Sequence, residues 1–320
     1  MWRNIKVISV SKLRGILTMI RILTNDGLES ASIEALKALG AEIVNEHIEK
    51  DILGEKLKDF DAIVIRSATR LTSEIFEAEA GGNLKLAIRA GVGMDNIDIP
   101  AAKSKGVTVK NTPSASSDSV AELALGHMFA LARFIAISNY TMRNGEWNKK
   151  KYQGTEISGK TLGIIGMGRI GQSLAKKAIA LGMKVVYYTI EGKHNDLNYD
   201  FISLEEVLKN SDFISLHVPY DKVAGSLIGK KELELMKNTA YLINCARGNV
   251  VDEVALIEAL DNGKIAGAGI DVFEEEPTKN EKLINNAKVS VTPHIGAATE
   301  EAQTRIGEEV VSVIKEFFNL

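Results

Sequence analysis

Three side chains with complementary chemistry recur at one kind of place in this sequence: Arg247, Glu276 and His294 each follow an apolar, strand-like run, at 240–245, 267–271 and 288–292. In an open α/β sheet, ligands bind beyond the carboxyl ends of the strands, so a guanidinium, a carboxylate and an imidazole would gather there around one reacting centre. Histidine exchanges a proton near neutral pH. A carboxylate beside it favours the imidazolium, so Glu276 is expected to ready His294 to protonate a ketone in the reductive direction. Arg247 stays charged and offers a planar fork of donors to a carboxylate or a polarised carbonyl. Read singly, His294 is a loop residue, Glu274–Glu276 a solvated acidic run and Arg247 half of a surface ion pair. Their shared placement makes a hydride-transfer site the better reading.

A glycine motif supplies the context. The run Thr161–Ile165 opens into Gly166-Met-Gly168-Arg169-Ile170-Gly171. With 27 glycines in 320 residues, this spacing arises by chance about 0.2 times in such a chain, so the bare pattern is weak. An apolar strand before it and helical spacing of Leu174, Ala175, Ala178 and Leu181 after it, with Gly182 as a stop, give the order that a dinucleotide pyrophosphate requires. Gly166 serves the tight turn, Gly168 the approach of backbone to phosphate, and Gly171 the packing of helix on strand. The next run, 184–188, leads to Thr189 where an acid that bonds the adenosine ribose is expected, and the nearest acid, Glu191, comes two residues late. Without that carboxylate, and with Lys193 and His194 nearby, NAD is the expected cofactor and NADP the alternative.

The elements that must position these residues form two alternating series. The first reads as strands at 20–24, 42–44, 61–65, 86–89 and 107–110, with helices at 32–39, near Glu55, at 73–80 and at 99–105. The Ser- and Pro-rich stretch 111–117 interrupts it, and Ser117 or Asp118 is expected to cap one long helix to about Asn144. The second reads as strands at 161–165, 184–188, 201–202, 213–218, 240–245, 267–271 and 288–292. Such alternation implies parallel sheets. A last amphipathic helix carries Ile306, Val310, Val311, Ile314 and Phe317 on one face. It needs a partner, and returning to the first domain would leave a cleft with two hinges.

Composition narrows the class. A 45% hydrophobic content supports two cores, and a net charge of −3 gives no sign of a nucleic-acid partner. The single cysteine, Cys245, fits a reducing cytoplasm. No apolar stretch is long enough to span a bilayer. Residues 1–18 read as an extension before the first strand. Cys245 also admits a thiolate attacking an aldehyde, a minor alternative because buried strand-end cysteines are inert. His127 is expected to be structural.

The stretches 64–69, 89–98, 119–122, 163–171, 243–248, 269–277 and 292–296 together resemble the D-isomer-specific 2-hydroxyacid dehydrogenases, and within them the branch that acts on 3-phosphoglycerate. The resemblance covers nearly everything from Met19 onward. The fold class it implies is α/β with two doubly wound parallel-sheet domains: a Rossmann-type cofactor domain (117–296) inserted in a flavodoxin-like substrate domain (1–116 plus 297–320). The catalytic set it implies is Arg247, Glu276 and His294. Cofactor contacts are expected at Gly166, Gly168, Arg169, Ile170, Gly171, Thr189, His217, Val218, Pro219, Cys245, Ala246, Asp271 and Gly296, with Asp271 facing the nicotinamide. Substrate contacts are expected at Arg66, Ser67, Gly91, Val92 and Gly93. No metal is implied.

The expected reaction is the NAD-dependent oxidation of D-3-phosphoglycerate to 3-phosphohydroxypyruvate, which feeds serine biosynthesis, by a cytoplasmic homodimer. The alternatives are a glyoxylate/hydroxypyruvate reductase or D-lactate type and, in another class, a dinucleotide-sensing corepressor-like binding protein. Longer members carry a serine-binding domain beyond the last helix, so a chain that stops at Leu320 is expected to escape inhibition by serine.

Overall fold

The computed structural model describes residues 19–320, and the extension expected at 1–18 lies outside them. The chain divides into one compact unit that ends at Pro113 and resumes over Gln303–Leu320, and a second over Ser114–Ala302. In the first, β1 (Arg21–Thr24), β2 (Glu42–Val44), β3 (Ala62–Ile65), β4 (Leu86–Arg89) and β5 (Thr108–Asn111) form a parallel sheet of order β2-β1-β3-β4-β5. Between the strands run helices α1 (Ser30–Ala38), α2 (Lys50–Leu57), α3 (Ser73–Glu79) and α4 (Ile99–Ser104). Leu53, Leu57, Ile63, Ile65, Phe76 and Ala87 form its core. Strands buried on both faces read as unbroken apolar runs, as 62–65 does.

The second unit opens with α5 (Ser117–Ala132) and α6 (Ile135–Arg143). The sequence pattern predicts one long helix, yet the two are bent by 63°. Phe134 adopts a left-handed conformation (φ 56°), and the backbone N–H of Thr155 returns to bond the Ala132 carbonyl. That acceptor is thereby taken where the helix would continue. Neither expected cap acts: Ser116 holds the cap position, the Ser117 hydroxyl is buried without a partner among the described residues, and the Asp118 carboxylate accepts from Ser173 and Lys177. Among the described residues no single helix is long and apolar enough to cross a membrane.

The second sheet then builds from β6 (Thr161–Ile165), α7 (Arg169–Ala180), β7 (Lys184–Tyr188), β8 (Asp200–Phe201), α8 (Leu204–Asn210), β9 (Phe213–Leu216), α9 (Lys230–Leu235), β10 (Tyr241–Asn244), α10 (Glu253–Asp261), β11 (Gly267–Ile270), α11 (Glu281–Ile284) and β12 (Val289–Val291). All seven strands are parallel, in the order β12-β11-β10-β9-β6-β7-β8. Alternate strand residues face opposite sides. Leu162 and Ile164 join α5 and α7 in one core, whereas Ile165, Ile214 and Leu216 join α8 and α10 in the other. The last helix, α12 (Glu300–Phe318), belongs to the first unit from Gln303 on. It buries Ile306, Val310 and Ile314, and Gly307 packs where a Cβ would fall 2.0 Å from the Ser32 hydroxyl.

The first order is that of flavodoxin-like sheets and the second that of dinucleotide-binding sheets, each reversing direction beside its first strand. Two doubly wound parallel sheets are therefore the architecture, as expected.

Candidate active site

In the second sheet every expected site residue follows the carboxyl end of a strand. Gly166 follows β6, Thr189 β7, His217 β9, Cys245 to Arg247 β10, Asp271 β11 and His294 β12. Because the strands are parallel and in register, these ends form one edge.

The glycine turn is shaped for a ligand. Gly166 has φ +96°, and a Cβ there would meet the His217 carbonyl at 2.4 Å, so only glycine is tolerated. At Gly171 a Cβ would lie 2.3 Å from the Gly166 carbonyl, whereas at Gly168 it would meet nothing within 4 Å. Gly168 begins α7 with no side-chain cap, which leaves the first-turn N–H groups, those of Arg169 and Ile170 among them, to an anion. Nearby, the His217 imidazole bonds Ser215 through Nε2 at 2.9 Å, while its Nδ1 is buried without a partner. Burial pushes its pKa down to about 4, so the ring is neutral. An open helix N-terminus and an orphaned polar atom on one sheet edge fit a dinucleotide.

Beyond β12, His294 Nδ1 lies 2.6 Å from Glu276 Oε2, which leaves Nε2 outward; His294 is 38% exposed. Burial alone would raise the Glu276 pKa. The bond and charge of His294, the Phe273 N–H on Oε1 and the charge of Arg247 outweigh it and hold the carboxyl below its ordinary value. Glu276 is therefore charged through the neutral range. Glu274 is bound into the fold by a reciprocal pair in which its N–H donates to the Glu253 carboxylate and the Glu253 N–H to its own, so 274–276 is not a merely solvated acidic run.

Arg247 donates from Nη1 to its neighbour's carbonyl, Ala246 O, at 2.6 Å. Its own carbonyl accepts from Asn244 Nδ2 at 2.9 Å. Asn244 is 1% exposed, and its fixed amide sets the turn on which the guanidinium stands.

Asp271 and His127 are both tied to the loop that carries His294. The resemblance places Asp271 at the nicotinamide; in the fold its Oδ1 accepts from Thr292 Oγ1 and Ile295 N, and its Oδ2 from Gly296 N at 2.9 Å. It braces the loop that carries His294, whose own N–H bonds the Asp271 carbonyl at 2.8 Å. His127, buried beneath, bonds Ser290 and Thr292 and extends that brace. Burial lowers the His127 pKa against the opposing charge of Asp271. His294 itself sits at φ 52°, a conformation uncommon for a residue with a Cβ and one that a surrounding network must enforce. The brace could not be read from sequence, since its members are isolated polar residues up to 165 positions apart.

Cys245 is 7% exposed, and burial, with the charge of Asp271, pushes its thiol pKa up. It stays a thiol at neutral pH, which removes the thiolate reading. Thr189 is 7% exposed and its hydroxyl donates to the Glu191 carboxylate. That bond, first among its causes, lowers the Glu191 pKa. The acid missing from the end of β7 is thus bonded to the residue that stands there.

The family model described as "D-isomer specific 2-hydroxyacid dehydrogenase, NAD binding domain" matches residues 125–296. The chain belongs to the D-isomer specific 2-hydroxyacid dehydrogenase family. It is 46% identical to a hydroxypyruvate reductase of Thermotoga maritima over 92% of its own length and 97% of that protein. To a D-3-phosphoglycerate dehydrogenase of Methanocaldococcus jannaschii it is 45% identical over 93% of its length, but it spans only 57% of that relative. The crystal structure of a D-lactate dehydrogenase of Aquifex aeolicus, solved with NAD and lactic acid, superposes with a TM-score of 0.81, at 35% identity, over 93% of this chain and 95% of that one. The protein is therefore an NAD(P)-dependent 2-hydroxyacid dehydrogenase.

Proposed function

We propose that the protein oxidises D-3-phosphoglycerate to 3-phosphohydroxypyruvate with NAD, a reaction that would supply serine biosynthesis. The observation that carries this reading is Arg66. It follows β3 directly, and among the described residues its guanidinium makes no hydrogen bond or ion pair. Ser67 beside it is exposed. A half-buried cation with no protein partner suits a second anionic group on the substrate, and guanidinium matches phosphate oxygens well. Gly91, Val92 and Gly93, beyond β4, offer backbone amides to the carboxylate in this reading.

The Gly166–Gly171 turn would hold the dinucleotide, which would supply the hydride acceptor for the substrate carbon. His294 Nε2 takes the hydroxyl proton, and Glu276 keeps the ring oriented through Nδ1 and stabilises the imidazolium that results. Arg247 binds the carboxylate or the carbonyl oxygen that forms. A second reading, reduction of hydroxypyruvate or glyoxylate, is favoured by the likeness to the Thermotoga maritima hydroxypyruvate reductase over 97% of that relative and by 45% identity to a glyoxylate reductase of Thermococcus litoralis. Arg66→Ala separates the two. Under the phosphate reading it lowers kcat/KM on 3-phosphoglycerate by about 10- to 150-fold, the worth of one charge-assisted bond, and leaves D-glycerate nearly untouched. Equal losses on both substrates would assign Arg66 to the carboxylate and favour the second reading.

NAD over NADP is proposed from Glu191. Charged and bonded to Thr189, it would accept from a ribose hydroxyl and repel a phosphate in its place. Glu191→Ala is expected to narrow the ratio of NADPH to NADH dissociation constants by about tenfold or more. An unchanged ratio in a titration of intrinsic fluorescence would remove Glu191 from cofactor choice.

A homodimer is proposed from α6 and the loop beyond it. That helix has no buried residue, and Ile135, Tyr140, Met142 and Trp147 are 53%, 64%, 52% and 78% exposed, a patch that a monomer rarely leaves open. Sedimentation equilibrium should give twice the chain mass, and a monomer at micromolar concentration would refute the assignment. The single buried thiol accords with a cytoplasmic protein.

A further inference from the structure

The first unit holds a polar framework that the hydride-transfer chemistry does not use. It lies beyond β1, β3, β4 and β5, and its centre is the Asp26 side chain, only 4% exposed. Asp26 Oδ2 accepts from the backbone N–H of Arg66 at 2.6 Å and of Thr69 at 3.0 Å, and Oδ1 accepts from the Thr69 hydroxyl at 2.5 Å. Asn25 Nδ2 donates to the same hydroxyl at 2.8 Å. On the other side of the turn, Asn96 Nδ2 donates to the carbonyls of Arg66 and Thr69, both at 2.6 Å. The turn from Arg66 to Thr69 therefore has its N–H groups held by a carboxylate and its carbonyls held by an amide.

Asn96 also couples this turn to the loop after β4. Leu71 and Ile97 form a parallel bridge, closed by Leu71 N on Asn96 O at 2.9 Å and Asp98 N on Leu71 O at 2.8 Å. At the far end Asn111 Nδ2 donates to the Val92 carbonyl at 2.6 Å, and Thr112 N bonds the Gly91 carbonyl at 3.1 Å. The sheet order reverses between β1 and β3, the switch point at which open α/β sheets bind ligands. Asp26 and Arg66 stand one on each side of it.

We infer that Asp26 and Asn96 are positioning residues for substrate: they fix the Arg66 turn and the 91–96 loop in one geometry, so that the guanidinium and the loop amides meet the substrate's anionic groups without reorganising. This rests on the reading of Arg66 as a substrate contact. The contrast within the turn supports it: the backbone is held at four points while the guanidinium bonds nothing among the described residues. A turn with only a structural task has no need of a cation kept free by such a frame. Holding groups in place before binding is what converts contacts into affinity.

Asp26→Asn keeps the shape but turns one acceptor into a donor facing N–H groups. It should raise KM for the hydroxy acid by about tenfold or more, with kcat within about threefold and the NADH dissociation constant unchanged. Asn96→Ala should act in the same way, and it carries the test if Asp26→Asn does not fold. Thr69→Val should behave like Asp26→Asn, whereas Thr69→Ser, which keeps the hydroxyl donor, should restore wild-type KM. A KM unchanged in Asp26→Asn and Asn96→Ala, or kcat falling together with thermal stability at constant KM, would overturn the inference and leave a structural brace. Arg66→Ala, run alongside, separates the two levels. If it raises KM and the framework variants do not, only the positioning role fails. If it leaves KM unchanged on every substrate, the assignment of Arg66 fails and takes this inference with it.

Discussion

His294→Ala is expected to lower kcat in both directions by about 10² or more while the NADH dissociation constant stays at its wild-type value. The imidazole is the side chain at this sheet edge that offers an outward ring nitrogen, Nε2, with its other nitrogen held by a carboxylate at 2.6 Å. On the proposed mechanism its loss removes the group that takes the hydroxyl proton, and nothing in the glycine turn changes. Glu276→Gln should give a smaller loss, because an amide can still orient the ring but cannot balance its charge. The depressed pKa of Glu276 sets the pH window for this pair. Its charge is complete at neutral pH and is lost only as pH falls through a value below the ordinary carboxylate range. Turnover measured from neutral pH into the carboxylate range should accordingly show no loss from this residue until that lower value is reached. Near wild-type kcat in His294→Ala would remove the histidine from the reaction.

Arg247→Ala should lower kcat/KM by about 10² or more, since a guanidinium that binds an anionic oxygen through two donors contributes about 1.5–3 kcal/mol for each bond. Arg247→Lys should recover only part of that. Lysine keeps the charge but presents a point rather than a planar fork, and it has no second nitrogen to rest on the Ala246 carbonyl as Nη1 does. Steady-state kinetics of the two variants on one hydroxy acid decide the point. Full activity in Arg247→Lys would mean that charge alone suffices at this position, and full activity in Arg247→Ala would remove the residue from the site.

The strand ends that carry these residues were legible because a parallel strand covered on both faces must be apolar throughout. Runs such as 162–165 and 62–65 therefore announce themselves, and a polar residue just after one marks the sheet edge. What could not be read depends on partners distant in sequence. The break at Phe134 needs the Thr155 N–H to reach Ala132, and no local signal marks it. The resemblance alone names Asp271 as a cofactor contact, and only the fold shows its oxygens also bonded to Thr292, Ile295 and Gly296. The bonds of Asp26 and Asn96 to the Arg66 turn span 27 to 43 residues. Glu191 is an intermediate case. The sequence shows an acid arriving two residues late, and the structure supplies the Thr189 hydroxyl that ties it to the expected place.

The phosphoglycerate assignment turns on the ratio of kcat/KM for D-3-phosphoglycerate to that for D-glycerate, from initial rates of NADH formation by the unmodified protein. A phosphate met by the Arg66 guanidinium should make that ratio about 10 or greater. Equal efficiency on the two acids, or a preference for D-glycerate, would contradict the assignment and leave a 2-hydroxyacid dehydrogenase that works on small unphosphorylated substrates.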